Sequence, residues 1–319
     1  MTAHCHSCYL SHMSNASDTE SPEVTAAATV ILVREQADTF QVYLLKRSPK
    51  SGFMAGNFVF PGGMVDDNDR RFKLFSKCCD LTPAELANRF GPDLPLEEAL
   101  TFCIAAVRET LEEAGIFLAK NIDASTAELE RINKLRLDAD LEPDWFASLM
   151  ENESWSLSLS DLYCWNHWIT PVLMRHRFDT RFFWAAMPAG QTCRPDARET
   201  VQGLWVNPMQ GLAGNLTGDI PLSPPTLVTL HQLSKYRTLA ELHSAAAGRS
   251  WGQTIMPRLV PLEQGAVIVE PWDPQYHQSD IDIDPEDLPS CVLPVGASFS
   301  RIWLDQDIWK PIGSYSDLS

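Results

Sequence analysis

The segment LEEALTFCIAAVRETLEEAG, residues 96–115, decides the fold class of this chain. Its apolar side chains recur every three or four residues, which is the spacing of one buried helix face. On a helical wheel, Glu109, Glu112 and Glu113 share an arc of about 100°, and the apolar side chains lie opposite them. The pattern predicts one helix that ends at Gly115 and presents three carboxylates on a single face.

Three carboxylates on one face indicate either a divalent-metal site or a solvated acidic surface. Oxygen donors suit Mg²⁺ or Mn²⁺. Like charges four positions apart cost an isolated helix roughly a few tenths of a kcal/mol. Arg108 precedes Glu112 by four residues and is well placed to pair with it. The helix alone leaves both interpretations open.

A wider match favours the metal site. RETLEEAGI, residues 108–116, fits the Nudix signature segment R-E-aliphatic-x-E-E-x-G-aliphatic at every fixed position, and FPGG at 60–63 supplies the glycine pair that opens the same motif. The chain therefore resembles a Nudix hydrolase. The resemblance implies an α+β fold, a Nudix α/β/α sandwich with a mixed central sheet, here with inserted helices and a C-terminal extension.

The Nudix box of this chain is interrupted. Gly63 and Arg108 are 45 positions apart, 31 more than in the uninterrupted signature. The box glutamate that normally precedes the helix has no unambiguous counterpart, because Asp69 keeps its spacing from Gly63 while Glu97 and Glu98 lie near the helix start. Its role is left unassigned.

A long insert inside the box is similar to that of one Nudix branch, the eukaryotic peroxisomal coenzyme A diphosphatases (nucleoside diphosphate-linked moiety X motif 19). The likeness extends over most of residues 24–250 and rests on further segments: RSPKSGFMAGNFVFPGG (47–63), WNHWITP (165–171), RFDTRFF (177–183) and the pair Glu199 and Trp205.

The resemblance implies divalent-metal-dependent hydrolysis of a nucleoside diphosphate linked to another moiety. The implied catalytic residues are Arg108, Glu109, Glu112, Glu113 and Glu199. The implied metal ligands, for Mg²⁺ or Mn²⁺, are Glu109, Glu112 and Glu113. The implied phosphate- and substrate-binding residues are Gly62, Gly63, Arg47 and Arg177.

Two of these residues have plain alternatives. Glu199 is a candidate general base, and otherwise an exposed loop glutamate. Arg177 and Arg181 are candidates to meet substrate phosphate, and otherwise a surface pair. Trp165 and Trp168 are expected in the core.

The expected substrate is coenzyme A or an acyl-CoA, cleaved to 3′,5′-ADP and (acyl-)4′-phosphopantetheine. Gly52 stands where the bacterial coenzyme A signature has an arginine, so ADP-ribose, NADH and dinucleoside polyphosphates remain alternatives. An alternative of another class is a Nudix module that only binds nucleotide, but such modules typically lose box carboxylates and this box keeps them.

Composition excludes several classes of protein. With 42 acidic and 25 basic side chains the net charge is −17, which opposes binding to nucleic acid phosphates. No apolar run approaches the roughly 18–20 residues of a membrane span. The eight cysteines are scattered and read as reduced thiols. We expect a soluble protein whose partner is a small nucleotide-diphosphate substrate. We expect it to be cytoplasmic, because the chain ends SDLS and not in a peroxisomal address of the SKL type.

Three regions are expected along the chain: a disordered leader at 1–23, a Nudix hydrolase domain at 24–250 with its insert at about 64–94, and a C-terminal extension at 251–319. The leader holds His4-Cys5-His6-Ser7-Cys8, which lacks the second ligand pair that a zinc site needs. The acidic run at 279–287 lacks the glycine and glutamate of an EF-hand and is expected to be a solvated loop.

Residue patterns typical of strands and helices predict the elements along the chain. Strands are predicted at 24–34, 39–47 and 200–208, and a hairpin at 162–187. Helices are predicted at TPAELANRFG with Thr82 as its cap, within 125–160, and over 223–248, starting after the Ser-Pro-Pro at 223–225.

Overall fold

The computed structural model describes residues 23–51, 54–91, 94–121, 126–138 and 141–313. The expected leader up to residue 22, with its His/Cys cluster, and Gly52 lie outside the described residues. No helix in these ranges is long and apolar enough to cross a membrane.

The described residues form thirteen strands and eight α-helices. The strands are β1 (Val24–Gln36), β2 (Thr39–Arg47), β3 (Phe58–Val59), β4 (Gly62–Met64), β5 (Ala119–Lys120), β6 (Ser156–Leu157), β7 (Tyr163–Ile169), β8 (Arg177–Ala186), β9 (Thr200–Val206), β10 (Arg258–Pro261), β11 (Ala266–Val269), β12 (Arg301–Asp305) and β13 (Ile308–Ile312). The helices are α1 (Phe72–Phe75), α2 (Pro83–Phe90), α3 (Leu96–Ala114), α4 (Thr126–Arg136), α5 (Trp145–Asn152), α6 (Pro208–Thr217), α7 (Pro224–Leu233) and α8 (Leu239–Ala246).

A seven-stranded mixed sheet lies at the centre, in the order β3-β2-β1-β8-β7, with β4 beside β1 and β9 beside β2. Strand β1 pairs antiparallel with β2 and β4 and parallel with β8. The predicted β1–β2 pair, the β7–β8 hairpin and strand β9 are confirmed.

The two faces of β1 are covered by different layers. Because side chains alternate along a strand, Ala28, Val30 and Leu32 pack with α3 on one face. Ile31 and Val33 pack on the other face with α7 and with the C-terminal strands. The predicted α/β/α sandwich with a mixed sheet is confirmed.

The insert in the box folds onto helix α3. It contains a short 3₁₀ turn, Asp67–Arg70, followed by α1 and α2. Helix α2 begins as predicted, because Thr82 accepts a hydrogen bond from the Glu85 backbone and the Glu85 side chain accepts one from the Thr82 backbone. The insert therefore starts beside the carboxylate face, where Asp69 pairs with Arg108, and ends at the beginning of α3.

The predicted helical stretch 223–248 is present as two helices, α7 and α8, with a break between them. Thr238 starts the second helix, and its hydroxyl accepts a hydrogen bond from the Glu241 backbone. A threonine three residues before a glutamate is a helix-start signal, so the break was readable.

The C-terminal residues form an antiparallel sheet, β10-β11-β12-β13. Ile268 of β11 and its cross-strand neighbour Ile302 of β12 belong to the same apolar cluster as α7 and the outer face of β8. This sheet thus packs over the side of the central sheet that α3 does not cover.

Candidate metal and phosphate site

Arg108 organises the carboxylate face of α3. Its Nε and Nη2 donate to the two carboxylate oxygens of Asp69, at 2.9 and 2.8 Å. Its Nη1 donates to Glu109 at 2.9 Å and to Glu112 at 2.7 Å. The expected pairing of Arg108 with the box carboxylates is present, and these charge-assisted bonds fix their orientation.

Of the acidic residues that could replace the box glutamate before the helix, Asp69 is the one that contacts Arg108. It is buried, it makes the two-pronged ion pair with Arg108, and its Oδ2 also accepts a hydrogen bond from the Asp66 backbone. Glu97 and Glu98 lie in the first turn of α3, three turns before Arg108. Asp69 therefore lies near the start of the insert and pairs with Arg108 across the rest of it.

The glycine pair brings backbone close to the same carboxylates. The Gly62 amide donates to Glu113 Oε2 at 2.9 Å. A Cβ on Gly62 would lie 2.3 Å from the Ala28 carbonyl oxygen, and one on Gly63 would lie 2.6 Å from the Glu109 carboxylate. Neither position has room for a side chain, which explains both glycines of FPGG.

Trp145 is a site residue that the sequence did not reveal. Its indole Nε1, from the first turn of α5, donates to Glu112 Oε1 at 2.9 Å. Arg108 holds the other oxygen of the same carboxylate. A tryptophan in an amphipathic helix usually indicates core, and nothing in the sequence links residue 145 to residue 112.

Burial disfavours the ionised forms of the three box glutamates. Desolvation raises the pKa of Glu109 to about 7, and the charge of Glu112 adds to the effect. Desolvation also raises the pKa of Glu112 and, together with the charge of Glu109, that of Glu113. A nearby cation would relieve both the repulsion and the loss of water.

The donor set fits a hard divalent cation, although the carboxylates are not gathered around a common point. Within the described ranges, no group of three or more His, Cys, Asp or Glu side chains is arranged to hold a metal ion. Arg108, Trp145 and the Gly62 amide each hold a carboxylate oxygen, whereas Glu109 Oε2 and Glu113 Oε1 take no part in those bonds. The chemistry of the donors, all oxygen and negatively charged, is what suits Mg²⁺ or Mn²⁺.

A cavity of about 530 Å³ opens beside these groups. Its floor includes Thr25, Ala27 and Thr29 of β1, which alternate with the residues that face α3. The residues predicted for the site that lie on its wall are Arg47, Gly62, Gly63, Arg108, Glu109, Glu112 and Glu199. Glu113 is buried behind Gly62.

The structure does not bring Arg177 to this wall. Its Nε donates to the Thr170 carbonyl at 3.2 Å, and its Nη2 contacts Met256 Sδ. Arg177 and Arg181 are only 7% and 9% exposed, so the alternative of a surface pair is wrong. The surface-pair alternative assumed that the residues around the turn between two strands are exposed, and binding of substrate phosphate by these arginines stays a prediction. Trp168 is buried as expected and also lies on the cavity wall.

Known proteins resemble this chain over most of its length. Residues 18–233 match the model of the NUDT19 Nudix domain. The chain is 30% identical over 274 residues to "Acyl-coenzyme A diphosphatase NUDT19" of Xenopus laevis, a match that covers 74% of this chain and 71% of that protein. The human protein of the same name is 29% identical, covering 75% and 73%.

A solved structure shares the fold. The Nudix hydrolase of Alicyclobacillus acidocaldarius is 22% identical and superposes with a TM-score of 0.56, covering 73% of this chain and 100% of that one. The fold, the box and the family model agree. The chain therefore belongs to the NUDT19 Nudix domain family of Nudix hydrolases.

Proposed function

We propose that this protein hydrolyses the diphosphate of coenzyme A and of acyl-CoA, releasing 3′,5′-ADP and (acyl-)4′-phosphopantetheine. One observation carries the proposal: the complete cluster of Arg108, Asp69 and three box glutamates lies against a glycine pair at a cavity. The chain that holds it is similar to proteins named acyl-coenzyme A diphosphatase.

The reaction needs help because the oxygens of a diphosphate repel an incoming nucleophile. A bound divalent cation, Mg²⁺ or Mn²⁺ in this proposal, supplies neutralisation of those oxygens and a more acidic water. Glu109, Glu112 and Glu113 are the ligands we propose. Arg108 holds Glu109 and Glu112 in place, and the absence of side chains at Gly62 and Gly63 lets phosphate approach the backbone.

Glu199 and Arg47 come from outside α3 and lie close enough to Glu113 for their charges to act on it. Both line the cavity wall, and Glu199 is exposed. Burial and the charge of Glu109 have the largest effects on the pKa of Glu113, and both raise it. Arg47 lowers this pKa and Glu199 raises it by smaller amounts, so both charges act on the carboxylate cluster. We assign Glu199 the role of general base for the attacking water and Arg47 the binding of phosphate.

The backbone around Glu199 holds that residue beside the cavity. Its carbonyl accepts a hydrogen bond from the Ser48 amide at 2.8 Å, and its own amide donates to Asp196. Glu199→Gln should lower kcat by roughly 10²–10⁴-fold with little change in metal affinity. Loss of metal binding would instead make Glu199 a ligand, and an unchanged rate would place the base on α3.

We also propose that the protein works in the cytoplasm, which is a reducing compartment. Cysteines at six described positions, among them Cys78 and Cys79, are free thiols, which is the state expected of a protein kept reduced.

A substrate panel tests the function. Coenzyme A, acetyl-CoA, ADP-ribose, NADH and a dinucleoside polyphosphate are incubated separately with Mg²⁺ or Mn²⁺, and the products are identified by mass. We expect 3′,5′-ADP and 4′-phosphopantetheine from coenzyme A. A marked preference for ADP-ribose would keep the reaction type and overturn the substrate. Binding without turnover of any compound would make the protein a nucleotide-binding module.

A further inference from the structure

The cavity has two unlike ends. Its charged lining residues are Arg47, Asp66, Arg108, Glu109, Glu112 and Glu199. Away from them lies a neutral wing, which we define by Trp168 of β7, Phe178 and Phe182 of β8, Pro225 of α7, and Pro257 and Ile268 of the C-terminal region. No described residue on the wall of this wing is charged.

The neutral wing leads away from the carboxylates across the sheet. Gly62 of β4 pairs with Thr29 of β1, Thr29 pairs with Phe182 of β8, and β8 pairs in turn with β7. Since neighbouring strands are about 4.8 Å apart, three spacings carry the floor about 14 Å from β4 to β7. The floor begins with small side chains on β1 and becomes aromatic on β8 and β7.

The two arms of coenzyme A differ in charge, as the two ends of the cavity do. One arm is an adenosine with a further 3′-phosphate, and the other is pantetheine, whose amides and thiol or thioester are neutral. Burying a phosphate where no cation faces it costs far more than burying amides and methylenes. The arm without charge therefore suits the wing without charge, and the phosphorylated nucleotide suits the end that holds Arg47.

We propose, resting on the function proposed above, that the neutral wing binds the pantetheine arm and its acyl group, and that Ile268 sets the acyl chain length accepted. Ile268 and Pro257 lie beyond residues 18–233, the part that matches the family model. The far wall of the wing is thus supplied by the C-terminal sheet, and acyl preference depends on that sheet.

Paired variants of Ile268 test the proposal. Ile268→Phe fills the wing and Ile268→Ala widens it, and kcat/KM is measured for acetyl-CoA and octanoyl-CoA, which share the same nucleotide. We expect Ile268→Phe to lower the octanoyl-to-acetyl ratio at least about tenfold and Ile268→Ala to raise it, because each buried methylene contributes to binding. The matched control is Ile302→Ala, since Ile302 is the cross-strand neighbour of Ile268 and lies in the core.

The outcomes separate the wing from the reaction. If the wild-type protein cleaves no coenzyme A compound, the proposed function fails and the assignment of the wing fails with it. If it cleaves both esters but neither Ile268 variant moves their ratio beyond the Ile302→Ala control, only the wing is wrongly assigned. If Ile268→Phe slows acetyl-CoA, octanoyl-CoA and ADP-ribose equally, the wing takes the nucleotide and the proposal is overturned.

Discussion

Two buried arginine–aspartate pairs lie in different layers of the molecule and have different surroundings. In the C-terminal sheet, Arg301 binds both oxygens of Asp273 at 2.8 and 3.1 Å and also donates to the Asp282 carbonyl and to the Gln275 side chain. In the Nudix box, Arg108 binds Asp69 in the same two-pronged way but also faces Glu109 and Glu112.

The difference is one of charge balance. Although burial opposes it, the bonds from Arg301 and Ser300 hold the pKa of Asp273 below its usual value. Around Arg108 one positive charge serves several carboxylates, and burial raises the pKa of Glu109 to about 7. A balanced pair stabilises a fold, whereas a cluster with excess negative charge is suited to receive a cation.

The largest expected effect on stability is in the balanced pair. Arg301→Met leaves Asp273, whose side chain is fully buried, without its counter-charge. We expect the free energy of unfolding in urea to fall by about 3–5 kcal/mol. Lys310→Met is the control, because Lys310 and Asp305 form a partly exposed pair for which we expect at most about 1 kcal/mol. Equal losses of unfolding free energy in Arg301→Met and Lys310→Met would mean that the buried pair stabilises the fold no more than the partly exposed pair.

Substitutions in the carboxylate cluster around Arg108 should lower activity rather than stability. Glu112→Gln and Glu113→Gln each remove a negative charge, so we expect kcat to fall at least ~10²-fold. The free energy of unfolding should not fall with it, since the repulsion between buried carboxylates is reduced. Glu98→Gln, at an exposed position in the first turn of the same helix, is the control and should keep normal kcat. Near-normal rates in both test variants would make the face a solvated acidic surface.

Metal binding can be measured without turnover. We expect Mn²⁺ to raise the melting temperature of the wild-type protein, by an increment worth about 2.7 kcal/mol when free metal is a hundred times the dissociation constant. The increment should shrink in Glu109→Gln and persist in Lys310→Met. Full activity after exhaustive EDTA treatment, or equal increments in both variants, would contradict the assignment of the metal to α3.

The elements that the sequence predicted correctly are those with local causes. Helix α3 follows from its apolar spacing and ends at Gly115, whose φ of 70° is left-handed. Helix α2 begins at a capping box that reads directly from Thr82 and Glu85. Such signals span a few residues, so chain order is enough to find them.

The parts that the sequence did not predict depend on contacts between distant residues. Asp69 and Arg108 are 39 positions apart, and only the folded insert shows that they pair. Trp145 reaches Glu112 from a separate helix. Ile268 reaches the cavity from a sheet outside the family match. Side-chain spacing gives the face of an element, but it does not say which other element will lie against that face.

A buried carboxylate outside both clusters, Glu270, contrasts with them because no described residue donates to either of its oxygens. Burial raises its pKa from 4.5 to about 8. Between these two values the folded protein binds more protons than the unfolded chain, so the free energy of unfolding falls as pH rises from about 4.5 to about 8 and levels off above. Glu270→Gln stays neutral at every pH and should remove this slope. We expect its melting temperature to match that of the wild-type protein near pH 5 and to exceed it by about a few °C near pH 8.5. Glu263→Gln, at an exposed position two residues after the end of β10, should show no such divergence. A wild-type protein that loses no stability over this pH range would mean that Glu270 has found a partner in solution.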